Sequence, residues 1–104
     1  MAKYLFVYHG GGHPETKEAQ AKVMAAWGAW FGAMGKALVN GGNPVGKSWT
    51  VKSKGSVTKD GGANPVSGYS IVEAKDQDAA VALAKGCPIL EMGGSVEVAV
   101  VIDM

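Results

Sequence analysis

The chain reads as an α+β domain with the element order β-α-β-β-α-β, and three features of the sequence lead there. Residues 3–9 near the start and 95–102 near the end are apolar runs rich in β-branched and aromatic types, as buried strands require. Residues 15–38 repeat bulky apolar side chains at helical spacing. A second, shorter helical stretch follows a clear alternating strand at Ser67 to Ala74. This order is the split pattern of the ferredoxin-like folds, with both helices on one face of an antiparallel sheet.

In the first strand, Tyr4, Phe6 and Tyr8 share one face while Leu5, Val7 and His9 share the other. Gly10-Gly11-Gly12 break it, and Pro14 with Glu15 suit the opening turn of a helix. That helix carries Val23, Trp27, Trp30, Phe31, Met34 and Leu38 on one stripe. Beside it runs a stripe of small residues, Ala21, Ala25, Gly28, Gly32 and Gly35. Each mid-helix glycine costs about 1 kcal/mol relative to alanine, so the stripe predicts a neighbour packed very close to this backbone. Asn40-Gly41-Gly42-Asn43-Pro44 ends the helix, and Ser48-Trp49-Thr50-Val51-Lys52 is expected to form the second strand. Val57 belongs to a ragged hairpin, and residues 60–65 form a loop. In the third strand Tyr69, Ile71 and Glu73 oppose Ser70, Val72 and Ala74. Asp76 caps the second helix, which stops near Lys85 before Gly86 and Pro88. In the last strand Val96, Val98, Val100 and Ile102 oppose Ser95, Glu97, Ala99 and Val101.

Composition narrows the function classes. With 104 residues and 47% hydrophobic side chains, the chain fills one core, and residues 1–104 are expected to form a single domain. A net charge of +1 supplies no field for nucleic acid or an anionic membrane. All 10 basic residues are lysine, so the guanidinium fork that grips phosphate and guanine is missing. The single Cys87 excludes an internal disulfide and a cysteine-rich metal site. Neither a signal peptide nor a membrane span is legible, and a cytoplasmic location is expected.

Several segments are familiar together. Tyr4-Leu5-Phe6-Val7-Tyr8, the Asp60-Gly61 pair, Gly68-Tyr69-Ser70-Ile71-Val72-Glu73-Ala74 and Gly93-Gly94-Ser95-Val96-Glu97-Val98 resemble the YCII-related family, which includes proteins named after a DGPF loop motif. Here Asp60-Gly61 is followed by Gly62-Ala63, and Ile89 stands where many relatives carry a histidine after the second helix. The resemblance implies a dimeric α/β barrel with a pocket. In a few relatives it implies muconolactone-type dehalogenation, and in others a catalytic His–Asp pair.

Gly41-Gly42-Asn43-Pro44-Val45-Gly46-Lys47-Ser48 matches the phosphate-binding G-x-x-x-x-G-K-S pattern. That loop works only between a strand and a helix whose amides face the phosphate, whereas here a helix precedes it and a strand is expected to follow. His9 and His13 flank the three glycines, but a metal would need further ligands, and neither metal nor cofactor is expected. His9 ends a strand, where an imidazole serves either as a hydrogen-bonded structural group or as a proton donor and acceptor. Asp60 is either a turn residue or the carboxylate that orients such a histidine. Glu97 is either solvent-facing or a pocket acid. Tyr69 and Ser70 lie on opposite strand faces, so one of them at most points into a given cavity from this strand. Cys87 reads as a packed residue rather than a nucleophile.

Two functional classes follow: a small-molecule enzyme using His9 with Asp60 or Glu97, with Tyr69, Ser70 and Glu97 toward substrate, or a non-catalytic dimeric ligand-binding or accessory module. The first and last strands are apolar on nearly both faces, and a bare second sheet face would be a large exposed patch. Pairing of two sheets about a two-fold axis covers it. Sedimentation at micromolar concentration is therefore expected to give twice the chain mass; a clean monomer would refute the argument from the apolar faces.

Overall fold

In a computed structural model, residues 1–12 and 14–104 are described. His13, expected to be solvated beside Pro14, lies outside the described residues. The elements are β1 (Ala2–His9), α1 (Lys17–Met34), β2 (Leu38–Asn40), β3 (Thr50–Val51), β4 (Val57–Thr58), β5 (Val66–Ala74), α2 (Gln77–Ala84) and β6 (Ser95–Val100). Four strands form one sheet in the order β2-β5-β1-β6, with every neighbour antiparallel. This is an α+β arrangement compatible with the ferredoxin-like fold, with β1 and β5 at the centre.

Strand alternation sets the two sides of the sheet. Phe6 pairs across to Ser70 on β5 and Val98 on β6, so these side chains share the face under the helices. Tyr4, Phe6, Tyr8 and Val72 meet Trp30 and Met34 of α1, Ala80 and Ala84 of α2, and Cys87 and Ile89 beyond it. Phe6 is fully buried, which contributes about 1.5–3 kcal/mol. The Phe6 and Trp30 rings stack with centroids 6.1 Å apart, and the Trp30 indole N–H donates to the Leu83 carbonyl at 3.0 Å, tying α1 to α2.

The helices begin where side chains satisfy free amides. Asp76 accepts from the Ala79 N–H at 2.8 Å, at the position the sequence predicts. For α1 the cap is Thr16, which accepts from the Ala19 N–H at 3.0 Å, so the helix starts later than Pro14-Glu15 suggests. It also ends earlier, at Met34, because Gly35 adopts φ +54° and turns the chain. A 3₁₀ turn, Gly35–Ala37, then leads into β2.

That early end corrects the second strand. The sheet takes Leu38–Asn40, the stretch read as the end of the helix, and the run Ser48–Lys52 contributes only β3. Strands β3 and β4 form a separate two-stranded ribbon. Trp49 and Val51 on it are exposed, and the Lys59 ammonium lies 5.3 Å from the Trp49 ring centroid. The segment 41–48 follows a strand after all, but the ribbon and not a helix comes next, so the helix amides that a phosphate loop needs are absent there.

The small-residue stripe is a second correction. Ala21, Ala25, Gly28, Gly32 and Gly35 are all exposed, and a Cβ built at Gly28 or Gly32 meets nothing within 4 Å. The helix turns its bulky stripe inward and leaves this one outward. Gly42 behaves oppositely: it has φ +69°, and a Cβ there would collide with the Tyr69 carbonyl of β5.

These two sites predict opposite outcomes. Gly28→Ala is expected to raise the urea midpoint by an amount corresponding to about 0.5–1 kcal/mol, through helix propensity alone. Gly42→Ala is expected to lower it by at least about 2 kcal/mol, because backbone must move. A loss at Gly28 would reveal a neighbour seated on the stripe.

Candidate functional site

The end of the sheet where β1 gives way to glycine is hollow. A cavity of about 810 Å³ opens between α1, the Gly10–Gly12 turn, the loops at 41–45 and 63–66, and the start of β5. Its size lies within the range of small-molecule pockets. It exists because the chain places side-chain-free residues along its wall: Gly10, Gly11, Gly12, Gly41, Gly42 and Gly68. Over this gap α1 extends Val23, Met24, Trp27 and Phe31, and Ile89 and Met92 close the remaining side.

Tyr8 joins the core to the cavity. Its ring meets Trp27 edge-on at a centroid distance of 4.9 Å, and Trp27 in turn lies 5.8 Å from Phe31. The Tyr8 hydroxyl donates to Ser70 Oγ at 2.7 Å, and Ser70 Oγ donates to the Gly41 carbonyl at 2.7 Å. Burial drives the Tyr8 phenol well above its ordinary range, opposed by the Ser70 hydrogen bond. Ser70 is thus a fully buried member of the wall's support. Ser67 borders the cavity, and its buried hydroxyl lacks a hydrogen-bond partner. It is the extra residue of a bulge in β5, where the pairing steps from Tyr8–Gly68 to His9–Val66. Asn43 and Asn64 stand exposed at the rim.

His9 and Glu97 meet on the other face of the sheet. The His9 ring places Nε2 2.6 Å from Glu97 Oε1 and Nδ1 3.2 Å from the Pro65 carbonyl oxygen. Each ring nitrogen faces one oxygen, so the histidine bridges the β6 carboxylate and the loop before β5. The His9 side chain is 9% exposed and that of Glu97 68%, so one end of the pair is open to solvent. Neither residue borders the cavity, although Tyr8 and Gly10 on either side of His9 do.

Asp60 is placed elsewhere. Its carboxylate accepts from the Gly62 N–H at 3.0 Å and its carbonyl accepts from the Thr50 hydroxyl at 2.7 Å, so it organises the turn at the base of the ribbon. Both ring nitrogens of His9 are directed to groups other than Asp60. Tyr69 pairs with Val7 on the outer face and reaches the cavity border where the 41–45 loop passes β5. Among the described residues, no group of three or more histidine, cysteine or acidic side chains could hold a metal ion. Sequence reasoning left Trp27 in the core and did not reach Met24, Phe31, Asn43, Asn64 or Ser67. The available signal was the pairing of an aromatic helix stripe with three separate glycine-rich turns.

The buried thiol of Cys87 gives a titration that can be followed. Burial pushes it up to about 11, a backbone hydrogen bond opposing. Since the folded value lies above the unfolded one near 9, the contribution is fully present below pH 9 and is lost as pH rises through 11. Denaturation midpoints are expected to fall over that window by on the order of 2 kcal/mol, and Cys87→Ala is expected to flatten this part of the profile. Tyr8, displaced in the same direction, extends the loss to higher pH.

No curated protein matches the chain. The family model described as the YCII-related domain matches residues 4–104, and the protein belongs to that family.

Proposed function

We propose that this protein is a small-molecule-binding module whose ligand occupies the cavity beneath α1. The observation that carries this reading is the cavity itself, about 810 Å³ with an aromatic wall of Tyr8, Trp27 and Phe31. A concave, largely apolar cleft with a few polar groups at its edge is the usual form of a small-molecule site, and its glycine-lined wall, backed by a buried hydrogen-bonded run, supports occupation. Acid–base chemistry of the lactone or dehalogenation type would need a proton-transfer group at the ligand. His9 and Glu97 turn toward one another away from the cavity border, and Asp60 serves its own turn. Binding is therefore favoured over catalysis, with Tyr69 and Ser70 acting as wall and support. The working unit in this reading is a homodimer: the outer face carries Leu5, Val7, Ile71 and Ala99, with Val39 and Val101 exposed at its edges. Among the described residues no helix is long and apolar enough to cross a membrane, and one buried free thiol suits a reducing cytoplasm.

The test is ligand capture by the intact protein. A panel of small aromatic compounds is expected to raise the melting temperature and change tryptophan fluorescence. Met24→Trp, a solvent-exposed position on the cavity wall that can take a large side chain, is expected to weaken that binding at least tenfold while the protein remains folded. Equal binding by the filled variant would remove the cavity from consideration.

A further inference from the structure

We infer that the ligand of this cavity is an electrically neutral, flat aromatic compound with one polar group at the mouth. This rests on the small-molecule reading given above. Three observations carry it.

The first is charge. Among the described residues bordering the cavity there is no lysine, aspartate, glutamate or histidine, and the chain contains no arginine. An ion carried into the body of this space would lose hydration without gaining a partner of opposite sign among the described residues, which costs several kcal/mol for each charge. A neutral compound meets no such cost. The ionisable pair nearest in sequence, His9 with Glu97, is hydrogen-bonded within itself on the opposite sheet face.

The second is shape. Tyr8, Trp27 and Phe31 present rings at steep mutual angles, 83° between Tyr8 and Trp27 and 67° between Trp27 and Phe31. Such walls offer both ring faces and ring edges to a planar π system. Pro14, Pro44 and Pro65 border the opening, so its outline is set by rigid residues. Met24 beside them is adaptable and tolerates variation in the ring substituents.

The third is polarity at one end. Asn43 and Asn64 lie at the exposed rim, and each amide supplies donors and an acceptor, a set that satisfies both sides of a carboxamide or hydroxyl. Ser67 adds a hydroxyl without a partner at the wall. The aromatic body therefore goes inward, and the polar group stays among the amides.

The experiment compares three compounds of equal size by calorimetry near pH 7: 2-naphthamide, which is neutral, 2-naphthoate, an anion, and 2-naphthylmethylamine, a cation. Naphthamide is expected to bind at least tenfold tighter than either ion. The substitution Asn43→Ala combined with Asn64→Ala is expected to weaken naphthamide severalfold. Placing a cation at the mouth with Val45→Lys, a position already 41% exposed, is expected to shift preference toward naphthoate. If an ion binds within threefold of naphthamide, or if Val45→Lys leaves the ranking unchanged, the neutral-ligand inference is overturned while the small-molecule reading stands. If none of the three binds at millimolar concentration, both fall together.

Discussion

The run from the Tyr8 hydroxyl through Ser70 to the Gly41 carbonyl holds the candidate site in place. Each link is short, and the two side chains are buried, so neither hydroxyl has water as an alternative partner. The run fixes three separate pieces of chain: the end of a central strand, the middle of its neighbour, and the glycine turn that follows β2. Losing it would leave a buried hydroxyl unpaired and leave the turn tied to β5 by the backbone bonds of the Val45 N–H to the Ser67 carbonyl and the Tyr69 N–H to the Asn43 carbonyl alone. The same Tyr8 ring packs on Trp27, so the core and the cavity wall share one residue. The cavity is thus a gap between side chains, framed by the packing around it.

The sheet divides polar chemistry from apolar volume. Side chains alternate across a strand, so Tyr8 faces the helices and His9, one residue on, faces away. That single step puts the ionisable pair on one side and the hollow on the other. The pair joins β1 to β6 at a point where the strands end, and its Pro65 contact reaches the loop before β5. With Glu97 largely solvated, a tie of this kind contributes at most about 1 kcal/mol, and its greater effect is to fix the strand ends that frame the cavity.

Much of the fold was legible. Alternation in β1, β5 and β6 sorted their residues into the two faces that the sheet has, because side chains alternate along any strand, while which face meets the helices was left to the packing. The cap at Asp76 was equally plain, since a carboxylate before an apolar helical run has few other uses. The second strand was not legible. Leu38 continues the helical stripe, and the positive-φ Gly35 with the short 3₁₀ turn it opens separates the two. A glycine's conformation is chosen by what the chain meets next, so its residue type alone does not announce a break. The small stripe failed for a related reason: small residues permit close approach without requiring it, and α1 leaves them outward.

For the candidate site, the sequence determined the chemistry on offer: a histidine at a strand end, two acids of interest, no arginine, one cysteine, and an aromatic helix stripe flanked by glycine-rich turns. Residue types and local periodicity are properties of short segments, so they survive without knowledge of the fold. Only the tertiary structure decided which groups meet. Glu97 lies 88 residues from His9 and reaches it through the β1–β6 register, while Asp60 closes its own turn two residues away. The cavity is likewise a relation among distant segments, bounded by residues from Tyr8 to Met92. Empty volume belongs to no residue, and so no reading of residues one after another could contain it.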